Sequence, residues 1–300
     1  MLHLVIPRSH ARQGASALLA ASTLVCSTAC LGPTSYVSRT QPDYAEPAPA
    51  EVKTPLLLSA HVSRFGDEPA PLRESTTPRM VESLEHEEDR IVLLFARELD
   101  PLTVDPRDFG VLRADGLRVR PTRVFLAPAD EGDENRSLTV TGNFGSADAP
   151  PVAIHILGEL FAETGESLRG LDADITGPEL ADRPLSVERL SNSESRCPES
   201  PQVVRTYWTD ALTQVGDADL AGIELRLADG RKLAPSAFDD QARREGDPEG
   251  SGPVDDNVLD LCVDADAAVV HVHFAAGLFA DASGHQSAAA DLAVPAGQVR

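Results

Sequence analysis

Lysine is nearly missing from this 300-residue chain, with Lys53 and Lys232 alone, so almost all of the 26 basic side chains are arginine. Against them stand 48 Asp and Glu, for a formal net charge of −22. A chain this acidic repels phosphate backbones and loses the main source of nucleic-acid affinity, which argues against nucleic acid as a partner. Aromatic residues are few, at nine Phe, three Tyr and one Trp. No apolar run reaches the roughly 18 to 20 residues of a membrane-spanning helix. Common catalytic motifs are missing as well. There is no GxSxG elbow and no GxGxxG or GxxxxGK(S/T) phosphate loop, and His86-Glu87 lacks the second His of HExxH. The cysteines have neither CxxC nor CxxH spacing, which excludes a structural zinc cluster. What is ordinary is the 42% of hydrophobic residues, enough for a core in a chain about two domains long.

The N-terminus reads as an export signal over residues 1–29: Arg8 and Arg12, a short apolar stretch from Gly14 to Val25, then Ser27-Thr28-Ala29 before Cys30. It resembles a bacterial lipoprotein signal, in which a Cys after small residues is lipidated and becomes the new N-terminus. That resemblance implies lipid on Cys30 and attachment to a membrane; plain secretion is the competing reading. Removing the signal takes away Cys26. With Cys30 given to lipid, Cys197 and Cys262 remain, and an even remainder in an oxidising compartment reads as a disulfide rather than as two unrelated buried thiols. Residues 30–52 are rich in Pro, Ser, Thr and Ala without apolar periodicity, and read as a disordered tether.

Downstream, short runs alternate apolar and polar residues with period two. Arg90 to Phe95, Gly116 to Leu126, Ser137 to Thr141 and Val152 to Leu157 are bounded by Asp, Gly, Pro and Asn, so each reads as strand. An internal repeat organises them. Leu160, Phe161, Ala162, Gly165 and Asp172 match Leu278, Phe279, Ala280, Gly284 and Asp291 with one inserted residue; Asp115-Gly116 with Pro121 matches Asp229-Gly230 with Pro235. The expectation is an all-β chain of two tandem antiparallel sandwiches, over 53–178 and 195–297, joined by a polar linker at 179–194.

The run RIVLLFARELDPLTVDPRDFGVLRADG resembles the bacterial Ig-like domains of surface-layer proteins, where a hydrophobic strand ends in Phe before an acidic segment and an Asp-Pro turn. Phe95, Glu98, Asp100 and Pro101 carry that pattern, with Leu160, Phe161 and Gly165 at the closing turn. The resemblance covers most of 78–178 and, loosely, the second repeat. It implies Ig-like folds used as spacers and adhesive modules, with no catalytic residues to carry over.

Three other features invite chemistry. His271 and His273 lie two apart on a strand, on one face, and could grip a metal ion if a third ligand converged; otherwise both face solvent. Asp130, Asp133, Asp255 and Asp256 crowd acidic turns as calcium ligands do, although acidic loops often only solvate. Tyr207 and Trp208 read as core or sheet-face residues. Together these point to an exported envelope protein, outer-membrane, periplasmic or secreted, that is not an enzyme and holds no obligate cofactor. Its partner is a surface or envelope ligand the sequence does not identify, and its oligomeric state is not legible either. The alternatives are a metal-dependent hydrolase near His271 and His273, or a calcium-dependent adhesin.

Overall fold

A computed structural model describes residues 55–65, 88–129, 134–177, 179–190, 197–212, 215–239, 256–281 and 284–296. The signal at 1–29, Cys30, the tether at 30–52, Asp130, Asp133 and Asp255 lie outside the described residues, as does the side chain of Asp256. The fold is all-β.

In the first half, β1 (Leu57–Arg64), β2 (Asp89–Phe95), β3 (Phe109–Arg113), β4 (Arg118–Val119), β5 (Arg123–Leu126), β6 (Ser137–Gly142), β7 (Pro151–Ile156) and β8 (Asp172–Thr176) form one sheet in the order β4-β3-β7-β8-β1-β2-β6-β5. The sheet folds over at the parallel pairing of β1 with β8, where Ala60 lies opposite Ile175 and His61 opposite Thr176. Its two wings then close on a shared core: Ile91, Leu93 and Phe95 of β2 with Leu138 and Val140 of β6 pack against Phe109 and Val111 of β3 and Ile154 and Ile156 of β7. Every second residue of β2 and β6 supplies this core; β6 shows that period in its sequence, whereas β2 is apolar from Ile91 to Phe95 because both of its faces are buried.

In the second half, β9 (Pro184–Leu190), β10 (Gln202–Leu212), β11 (Ile223–Leu227), β12 (Lys232–Leu233), β13 (Ala237–Asp239), β14 (Asp256–Val263), β15 (Val269–Phe274) and β16 (Ala290–Ala293) make two sheets, β13-β14-β10-β9 and β12-β11-β15-β16. Val204 and Trp208 of β10 with Leu259 and Leu261 of β14 face Leu225 of β11 and Val272 and Phe274 of β15. Trp208 meets Phe274 and Phe279 edge-on, with ring centroids 5.0 and 5.3 Å away. The disulfide joins Cys197 to Cys262 of β14.

The second half repeats the strand order of the first, except that β9 and β16 lie in separate sheets where β1 and β8 are paired. The Asp-Gly turns match in detail: the residue after each Gly donates its N–H to the Asp side chain, and Gly116 and Gly230 hold φ of +85° and +88°, which glycine adopts without the steric cost of a Cβ. The apolar plug repeats one residue differently from the sequence alignment. Isolated bridges Phe161 to Ser167 and Ala280 to Gln286 are equivalent, so fully buried Leu160 corresponds to buried Phe279, and the extra residue precedes the plug.

Residues 179–194 are not a plain linker. They contain β9, paired along β10 from Val203 opposite Leu190 to Thr206 opposite Val187. The segment looks like linker because its alternate residues are polar, and one of them, Glu188, is 5% exposed. Its burial reflects the main departure from a string of separate modules. β2 and β6 are buried along their whole length, on both faces, and β10 is buried from its second residue on. The sheet β1-β2-β6-β5 and its counterpart β9-β10-β14-β13 pack face to face within one compact unit, Val52–Arg300. Four layers result. Leu94 and Ala129 from one side meet Tyr207 and Val258 from the other, a small apolar cluster in an otherwise polar seam.

Candidate functional site: the charged seam and its histidine cluster

Strand parity builds the seam. The residues of β2, β6, β10 and β14 that do not enter a core point at the opposite sheet, so Arg90, Thr139, Arg205, Tyr207, Thr209 and Asp260 are buried rather than solvated. Buried charge is costly unless paired, and Arg205 and Arg136 show the pairing. Arg205 makes a two-pronged pair with Asp260, Nε to Oδ1 and Nη2 to Oδ2 at 2.8 Å each, and its Nη2 reaches Glu134 of the first half at 3.0 Å. Arg136 donates to Glu98 at 2.7 Å and across the seam to Glu188 at 2.8 Å, and lies 4.4 Å above the Tyr207 ring. The Tyr207 hydroxyl donates to the same Glu188 oxygen at 2.6 Å, and burial holds that phenol well above its ordinary pKa. Asn257 donates to the hydroxyl of Ser137 at 2.8 Å and to the carbonyl of Trp208 at 3.0 Å.

At one edge of the seam lies a second group. His61 of β1, Asp182 just before β9, and Asp210 of β10 are each no more than 2% exposed. Their ligand-type atoms all lie within 4.8 Å of one another. His61 Nδ1 is 3.0 Å from the Thr176 hydroxyl, and Nε2 is 3.8 Å from Asp182 Oδ1. Asp182 Oδ1 accepts from Thr209 at 2.9 Å, while Oδ2 has no hydrogen-bond partner. Burial, then the charges of Asp210 and Asp281, push the Asp182 carboxyl up to about 8. Burial also raises Asp210, against the opposing pull of His61, Ser63 and Arg90. A cavity of about 430 Å³ opens beside the cluster, lined by His61, Thr176, Arg183 and Thr209 among others. The arrangement suits holding a positive species, a proton or a cation, between an imidazole and two carboxylates.

The residues singled out from sequence fall elsewhere. His271 and His273 lie on β15, in an outer sheet, and face outward while Val269, Val272 and Phe274 enter the core. Val269 rather than Val270 is buried because the β11–β15 register slips between Arg226 and Leu227. Asp291 of β16 approaches both rings, 3.0 Å from His273 Nδ1 and 3.9 Å from His271 Nδ1. His155 occupies the matching place in the first half, opposite Asp172 as His273 is opposite Asp291. Among the described residues, two sets of three ligand-type side chains converge within 4.8 Å. One is His61, Asp182 and Asp210; the other is Cys197, Asp239 and Cys262, whose sulfurs are bonded to each other. Sequence reasoning missed the first set because 121 residues separate His61 from Asp182, so no spacing advertises it.

No protein-family model matches the chain, and no curated protein matches it. Among solved structures it is similar to the surface layer protein SbsC, domains 1–6, at 12% sequence identity and a TM-score of 0.24, over 79% of this chain. The chain spans 26% of the length of that structure, and so slight a likeness carries no argument about activity.

Proposed function

We propose that the chain is a non-catalytic structural or binding module of the bacterial cell envelope, exported, anchored by lipid on Cys30, and built of two Ig-like sandwiches that act as one stiff body. The observation that carries this reading is the seam. Two sheets whose polar faces are buried against each other through Arg136, Arg205 and Asn257 favour a fixed relative placement of the halves, as a spacer or display element needs. The Cys197–Cys262 disulfide supports export, since such bonds persist in oxidising compartments. The experiment is fractionation of producing cells together with mass spectrometry of the mature N-terminus. Recovery in the envelope with a diacylglyceryl-modified Cys30 is the expected result. An unmodified N-terminus defeats the anchor, and a reduced protein found in the cytoplasm defeats the reading as a whole.

A further inference from the structure

We propose that His61 Nε2, Asp182 and Asp210 form a binding site for one first-row divalent cation of the zinc or manganese type, set in the seam where the two halves meet.

The hydrogen-bond network assigns the imidazole tautomer. The Thr176 hydroxyl lies 3.1 Å from the Ala60 carbonyl oxygen, which can only accept, so the hydroxyl proton goes there. Thr176 Oγ1 is then left to accept from His61 Nδ1 at 3.0 Å. The proton of a neutral ring therefore sits on Nδ1, and Nε2 presents its lone pair to Asp182 Oδ1 at 3.8 Å, too far for a hydrogen bond. A bare Nε2 on a ring whose Nδ1–H is tied to a protein oxygen is the form in which histidine binds metals.

The carboxylates point the same way. Asp182 is 1% exposed, and its Oδ2 has no hydrogen-bond partner, a costly state for an ionised oxygen. Two carboxylates and a neutral imidazole balance a doubly charged ion. One nitrogen with two carboxylate oxygens suits zinc or manganese better than calcium, which takes six to eight oxygen ligands. Three ligands about 2.0 to 2.2 Å from one ion stand about 3 to 3.6 Å from one another, so no pair of the trio needs to close by more than about 2 Å. The adjoining cavity of about 430 Å³ offers an entry path and room for water to complete the coordination. Because β1 belongs to the first half and β10 to the second, the ion would fasten the halves together. The inference stands apart from the envelope reading.

The test uses the full chain purified without chelator, analysed for bound metal, then stripped with EDTA and titrated with Zn²⁺ and with Mn²⁺. One equivalent is expected to bind, and at a hundredfold excess over Kd to raise Tm by about 5 to 10 °C. His61→Ala and Asp182→Asn should each weaken binding at least tenfold. Asp182→Asn keeps the shape of the side chain and an oxygen to accept from Thr209, so a folded protein remains in which the loss can be read. The His271→Ala/His273→Ala double variant should bind as the native chain does. Absence of binding of either ion by the folded native chain overturns the proposal. So does binding that survives in the His61 and Asp182 variants but disappears in the His271/His273 variant.

Discussion

Replacing Arg136 with alanine tests whether the seam makes one cooperative body of the two halves. The substitution removes two charge-assisted hydrogen bonds, to Glu98 at 2.7 Å and to Glu188 at 2.8 Å, and the contact 4.4 Å above Tyr207. Truncating one member of a buried ion pair costs about 3 to 5 kcal/mol, because the partner charge stays buried. Two facts move this case to the low end. Glu188 keeps the Tyr207 hydroxyl at 2.6 Å, and the Glu98 side chain is 12% exposed, close enough to solvent to recover some hydration. The expected loss is therefore about 3 kcal/mol. With a urea slope of about 3 kcal/mol per molar for a body of this size, the midpoint should fall by about 1 M. The assay is urea unfolding followed by far-UV circular dichroism, which sees both halves, and by fluorescence of Trp208, the single tryptophan, in the core of the second. The native chain should give coincident curves, because the Arg136–Glu188 and Arg205–Glu134 pairs tie the two cores together. A double-mutant cycle with Glu188→Gln should return a coupling of at least about 1 kcal/mol. A midpoint shift under about 0.3 M, or effects that simply add in the cycle, would refute the reasoning.

Other outcomes follow from local structure. Reducing Cys197–Cys262, 65 residues apart, should lower stability by up to about 4 kcal/mol in the chain-entropy account, read as a drop in Tm with dithiothreitol. Gly145→Ala should cost about 2 kcal/mol or more by thermal melting, since φ is +148° and the new Cβ would overlap the Ala149 carbonyl oxygen. Gly116→Ala, at φ +85° with open space around it, should cost about 1 kcal/mol. Burial raises the Glu88 carboxyl, but hydrogen bonds from Arg123, Thr141 and Thr122 outweigh it and hold the pKa below the usual glutamate value of 4.5. A depressed folded value means stability that is present above about pH 4.5 and lost as pH falls through the folded pKa. The Glu88 side chain is 19% exposed, so solvent screens the pair only in part; Arg123→Ala should cost about 1 kcal/mol at pH 7, and the two proteins should converge in acid. A loss that persists unchanged at low pH would count against the linkage.

How legible all this was depends on what each feature asks of the sequence. β2 and β6 were legible because their cores need apolar residues at alternate positions and have them, whereas Gly116 to Leu126, which reads as one strand, is broken into β4 and β5 at opposite ends of the sheet. Turns at Asp115-Gly116 and Asp229-Gly230 were legible because positive φ restricts the choice of residue. The seam was not. Arg90, Thr139, Arg205 and Thr209 occupy the polar half of the alternation, and polarity alone cannot separate a face in water from a face against another charged sheet. β9 was mistaken for linker for the same reason, since Ser186, Glu188 and Arg189 look solvated until Glu188 is seen bonded to Arg136 and Tyr207. The cluster of His61, Asp182 and Asp210 combines both obstacles, distance along the chain and polar residues at positions that read as surface.

The repeat is clearest in turns and outer strands and faint where the copies meet, and the seam itself accounts for this. Equivalent sheets face each other, as the two copies of a patch do across a dimer axis, where residue i meets j and j meets i. Register lets the equivalent rungs be compared. His61 lies opposite Val92, and Val92 opposite Thr139; Glu188 lies opposite Arg205, and Arg205 opposite Asp260. One rung is a histidine with an aliphatic and a hydroxyl side chain, and the other is three charges. Two identical charged rungs related by an axis would carry the same charges to the seam from both sides. Within a single chain each face is free to become the complement of the other. Arg136, just before β6, reaches Glu188 and Tyr207 of the second half, while Asn257 of β14 reaches Ser137 of the first by a different set of bonds. Turn geometry is an internal requirement that both copies share. The seam requires complementarity, and complementarity drives the copies apart in sequence while their strand order stays the same.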